Sequence, residues 1–184
     1  MAYFFRNGLH LLEPTSVAKT GASSTSTINT NGSVSFTLCT TISLNGVFSA
    51  NYKNYMIVFG GAASTTDIPT FRLRSAGTDA SGSNYRTQNL TAASTTVSGT
   101  RTAVSTSSWF GYTSTGKVGI ICTIFNPFLS TPTTFRLYSG NARDSAYLHD
   151  DAMSHSLSSS YDGFTILTGT GTLDGRLCVY GIRT

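Results

Sequence analysis

The chain has 184 residues, 12 basic against 8 acidic, and only 11% of it is charged, while 26 Ser, 30 Thr and 18 Gly make up about 40%. That length fits one domain, and that composition excludes a charge-rich helical bundle. Apolar residues still reach 39%, with 11 Phe and 9 Tyr, so a β-rich domain has enough large side chains for a core.

In chain order, residues 1–19 read as an extended arm with Tyr3, Phe4, Phe5, Leu9, Leu11 and Leu12 as anchors, ended by Pro14. The opening has no basic n-region and no small-residue cleavage site, so a protein made and kept soluble inside a cell is expected. Residues 20–33 hold one large apolar residue and can order only by adding to a sheet or touching a neighbour. The expected division is therefore an arm and Ser/Thr-rich linker over 1–33 and a β-domain over 34–184.

From Val34 onward apolar residues recur with period two. Tyr55, Ile57 and Phe59 share one face of a strand, and so do Val118, Ile120, Cys122 and Ile124. Phe71-Arg72-Leu73-Arg74 returns 64 residues later as Phe135-Arg136-Leu137-Tyr138, with Phe and Leu set inward and Arg outward. Further strands are expected at 34–40, 42–49 with a turn at Asn45-Gly46, 84–90, 163–168 and 176–183. No segment carries a sustained 3.6-residue stripe, so the expectation is an all-β protein, an antiparallel β-sandwich of jelly-roll type with an extended N-terminal arm. In 176–183 both faces are apolar: Leu177 and Val179 suit the core, and Cys178, Tyr180 and Ile182 suit a partner subunit. Three cysteines with no CxxC, all in strand runs, read as buried free thiols.

Signatures of chemistry are few. There is no Gly-x-Ser-x-Gly elbow and no phosphate-binding Gly-Lys-Ser/Thr loop, and the one glutamate, Glu13, lies in the arm. His149-Asp150-Asp151-Ala152-Met153-Ser154-His155 offers metal-ligand types close together, yet a solvated loop is the simpler reading, so no metal, cofactor or catalytic residue is expected. Trp109, Phe110 and Tyr112 in a polar stretch offer a stacking platform for a glycan, against the alternative of a strand end capping the core. The bases are scattered, which argues against a nucleic-acid groove, and no run is long enough to span a membrane.

Asn51–Phe59, Phe71–Tyr85 and Tyr161–Arg183 together resemble β-sandwich virion structural proteins of tailed bacteriophages, notably phages of marine and cyanobacterial hosts. The resemblance covers roughly residues 34–183. It implies a non-enzymatic homotrimer of the virion, made in the host cytoplasm and serving as a head decoration (cement) protein on the major capsid protein. The alternative within the same resemblance is a receptor- or glycan-binding module of a head or tail fibre that meets a host-surface glycan. Fibre tips usually end long chains, and this chain opens on a short arm, which favours decoration.

Overall fold

The computed structural model describes residues 8–113, 115–141 and 147–183. Among them every regular element is a strand, and the strands form two antiparallel sheets, as in a β-sandwich. In chain order these are β1 (Leu9–Leu12), β2 (Ser16–Thr20), β3 (Thr25–Ile28), β4 (Val34–Cys39), β5 (Thr41–Asn45), β6 (Asn54–Ala63), β7 (Thr70–Ser75) and β8 (Thr78–Asp79). They continue with β9 (Tyr85–Ala93), β10 (Thr96–Ser105), β11 (Ser108–Trp109), β12 (Val118–Phe125), β13 (Thr133–Asn141), β14 (Tyr147–His155), β15 (Gly163–Leu167) and β16 (Leu173–Ile182).

The larger sheet runs β10-β9-β14-β13-β12-β6-β16-β4-β3, with β1 also on β16. The smaller runs β11-β7-β15-β5-β2, with β8 on β7. Period-two strands dictate the packing: Tyr55, Ile57 and Phe59 of β6, Val118, Ile120, Cys122 and Ile124 of β12, and Leu177 and Val179 of β16 are all buried on the inner face. The two copies of the Phe-Arg-Leu motif lie in opposite sheets, β7 and β13. The Phe71 ring meets the Phe135 ring edge-on at 5.5 Å, so the repeat closes on itself across the core. Phe71 also stacks on Phe164 at 5.2 Å and on Phe110 at 5.8 Å.

Residues 20–33 order as expected, by adding to a sheet, with β3 on β4, and the turn expected at Asn45-Gly46 is present. Other expectations are corrected: the described part of 1–19, read as an arm, contributes two strands to the sandwich, β1 on β16 (Leu9 opposite Ile182, Leu12 opposite Val179) and β2 on β5. These segments are too short to fold alone, and they order because sheet edges offer their backbones partners. The strand expected over 42–49 stops at Asn45, where Gly46 adopts φ +69°. A Cβ there would sit 2.4 Å from Thr15 Oγ1, so only glycine fits the turn. Arg74, expected outside, is buried on the outer side of the smaller sheet. Its guanidinium pairs with Asp79 and donates to Ser43 Oγ and Asn45 Oδ1 at 3.0 Å and to Thr165 Oγ1 at 2.7 Å. Segment 149–155, expected as a solvated loop, is the body of β14, paired on both sides by β13 and β9.

Cys39 and Cys122 are buried free thiols, and burial drives the Cys122 thiol far up. Cys178 is a free thiol only half-buried, because it points to the outer face.

Candidate functional site

The β1–β16 register unites two groups of residues that the sequence holds apart. Leu9 and Leu11 stand opposite Ile182 and Tyr180, and alternation along each strand puts these four side chains on the outer face of the larger sheet. Leu12, opposite Val179, turns the other way and packs against the core. Tyr3, Phe4 and Phe5 lie outside the described residues.

The same face continues across the sheet. The registers align Cys178, Val58, Ile121 and Tyr138 in one cross-strand row, and Tyr180, Met56, Thr123 and Arg136 in the next. Ile121 is 46% exposed, Tyr138 51%, Leu148 57% and Phe125 38%. Polar side chains are the norm on the solvent side of an antiparallel sheet, so contiguous large apolar groups there set this face apart. The charges near the centre of the face neutralise each other: Arg136 pairs with Asp150 at 2.5 Å, and its guanidinium lies 5.5 Å from the Tyr138 ring centre. Beyond Tyr138 the row of Arg176, Gly60, Gly119, Gly140 and Leu148 contains three glycines on three neighbouring strands. At two of them, Gly119 and Gly140, the missing side chains leave a depression of about 460 Å³, lined also by Val58, Ile121, Tyr138 and Leu148.

The opposite face of β14 has the reverse chemistry. His149, Asp151 and His155 point inward, and the same side of β9 brings Asn89 and Thr91 beside them. Asn89 Nδ2 donates to Asp151 Oδ1, and Thr91 Oγ1 donates to Asn89 Oδ1 at 2.6 Å and lies 3.1 Å from His149 Nδ1. Tyr112 stacks on the His149 ring at 5.3 Å, and Tyr147 lies 5.4 Å from Tyr112. Burial pushes the Asp151 carboxyl up to about 6 against the opposing Asn89 hydrogen bond, and burial lowers His149 and His155.

Ser139, opposite His149 on β13, completes a serine–histidine–aspartate neighbourhood. Asp151 is held by Asn89 and not by His149 Nδ1. Ser139 Oγ, His149 Nε2 and Asp151 Oδ2 have no hydrogen-bond partner among the described residues. This is not the connected order that activates a serine nucleophile. Among the described residues no group of three His, Cys, Asp or Glu side chains is placed to hold a metal ion, and no helix is long and apolar enough to cross a membrane.

Of the two readings of Trp109, Phe110 and Tyr112, their placement is that of a strand end at the core and not of one shared platform. Phe110 is a core ring packed between Phe71 and Phe59, Trp109 is half-buried on β11 beside Thr70, and Tyr112 covers His149. The glycines Gly60, Gly119 and Gly140 were legible only as strand glycines, and their alignment comes from registers that link distant segments. No family model matches the chain, and the comparisons with curated proteins and with solved structures found no match.

Proposed function

We propose that the protein is a non-enzymatic virion structural protein, a capsid decoration (cement) protein that sits on the outer capsid surface as a homotrimer. The single observation that carries this reading is the apolar outer face of the larger sheet, where Leu9, Leu11, Tyr180, Ile182, Cys178, Ile121 and Tyr138 stand together. A subunit with one extra apolar face covers it most simply against copies of itself around a symmetry axis. The resemblance of Asn51–Phe59, Phe71–Tyr85 and Tyr161–Arg183 to β-sandwich proteins of tailed phages supports the virion setting, and jelly-roll connectivity is the finer form of the sandwich that goes with it.

In this reading the partners are other copies and the major capsid protein, with no nucleic acid, membrane or cofactor involved, and the subunit is made in the host cytoplasm before it joins the particle. The segment ahead of β1, with Tyr3, Phe4 and Phe5, is the attachment element. The experiment is electron microscopy of particles incubated with the full chain and with a chain lacking residues 1–7. Trimeric density on the capsid exterior, lost on truncation, supports decoration. Density confined to a head or tail fibre points to the fibre-module role, and absence from particles overturns the proposal.

A further inference from the structure

The outer face carries both a projection and a hollow. Phe125 closes β12 on the outer side, and Gly119 lies six residues earlier on the same strand and the same side, on the order of 20 Å away. The hollow is floored by Gly119 and Gly140 and walled by Val58, Ile121, Tyr138 and Leu148. At that separation the Phe125 ring cannot reach the hollow of its own chain.

We propose that Phe125 of one copy inserts into the glycine-floored hollow of a second copy, so that this knob and hole set the register of the subunit contact. The inference rests on the reading that the outer face joins copies, and adds the residues that lock them. A bare glycine backbone in a sheet exposes peptide groups that an aromatic ring covers well. Size also favours a second copy. Four outward rows across β16, β6, β12, β13 and β14 span roughly 25 Å by 25 Å, on the order of 600 Å² in projection, which approaches the ~800 Å² per partner of a standard interface.

Charge points the same way. At the centre of the face Arg136 and Asp150 are already paired, so a strongly acidic or basic partner finds nothing there to select it, and the remaining cation, Arg176, stands at the β16 end of the glycine row with its Nε donating to Ser35 Oγ at 3.4 Å. Arg86 and Arg101, which have no carboxylate partner among the described residues, stand at the β9–β10 margin beside a separate shallow hollow and outside this contact.

The substitutions that test this are mild for the fold. A Cβ at Gly119 meets nothing within 4 Å, and Phe125 is already 38% exposed, so Gly119→Leu fills the hollow and Phe125→Ser removes the knob without opening the core. Sedimentation equilibrium of the full chain is expected to show a dimer or trimer for the parent. Each variant, checked for an unchanged melting curve, is expected to weaken association by about 30-fold or more. Mixing the two variants restores association in part, because one knob-and-hole pair forms between the intact hollow of the Phe125→Ser chain and the intact knob of the Gly119→Leu chain. Variants that associate as the parent does, or a mixture no stronger than either alone, overturn the knob and hole and leave the outer-face reading standing. A parent chain that stays monomeric overturns both.

Discussion

The two faces of the larger sheet around β14 are chemically inverted. Inward stand Asn89, Thr91, His149 and Asp151, and outward stand Leu90, Tyr138 and Leu148. Over β6, β12 and β16 the inner face is conventional, with Tyr55, Ile57, Phe59, Ile120, Ile124 and Val179 packed against the smaller sheet. The difference follows from the sheets' unequal sizes, ten strands against six. At β11 the smaller sheet ends, and on the inner side of β14 Tyr112 stacks on His149 beside the hydrogen-bonded polar cluster shared with β9. The apolar residues displaced from that inner side appear on the outer one, where the covering layer is another molecule in the proposed assembly. Inner burial thus holds the subunit together, and in the proposed assembly the outer face makes its contacts.

Substitutions on the two sides should separate most clearly in stability. Phe71→Ala or Phe135→Ala removes a ring from the inter-sheet contact and is expected to cost about 3–5 kcal/mol. Ile121→Ala on the outer face is expected to cost about 1 kcal/mol or less in the isolated subunit. Chemical denaturation under dilute, monomeric conditions checks both, and equal costs would erase the distinction between faces.

The polar cluster supplies the next largest effect, and its sign is set by burial. Asp151 titrates at about 6 when folded against an ordinary 3.8, so its contribution favours the fold at low pH and is lost as pH rises from about 4 through about 6. His149 and His155 are lowered from 6.5, so their contribution is present above that value and is lost as pH falls below it. Asp151→Asn keeps a side chain for Asn89 to bond and removes the buried charge. The stability gap in favour of the variant is expected to open from near zero at about pH 4 to ~2–3 kcal/mol at about pH 7. A gap independent of pH would show that Asp151 is solvated.

The smallest effect is a difference in rate among three thiols. Cys178, half-buried on the outer face, should react with a thiol reagent in the native protein, while Cys39 and Cys122 wait for unfolding. Labelling of Cys178 should slow as protein concentration rises and copies cover the face. Equal rates for all three would contradict the assignment of Cys39 and Cys122 to the inside.

Much of this inversion was only half legible in the sequence. Period-two runs such as Tyr55–Phe59 and Val118–Ile124 announce their strands because apolar alternation is local, and the doubly apolar run 177–182 announces a second contact surface for the same reason. The N-terminal strands were not legible, since Leu9–Leu12 is ordered by backbone pairing with Val179–Ile182, some 170 residues away, which leaves no local period to read. β14 read as a loop because its inward positions carry His and Asp, which is the pattern of a solvated segment unless a polar strand lies beside it, as β9 does with Asn89 and Thr91. Trp109, Phe110 and Tyr112 left two readings open, a platform or a strand end capping the core, and at β11 and just after it Phe110 turns into the core while its neighbours do not.

The central claim is that the outer face of the larger sheet is where copies meet. Radical footprinting, read residue by residue by mass spectrometry on the concentrated and on the highly diluted full chain, tests it most directly. Ile121, Phe125, Tyr138 and Leu148 should be protected on concentration while Val17 on the smaller sheet keeps its labelling. Unchanged labelling of those four residues in a sample shown to be oligomeric would contradict the account.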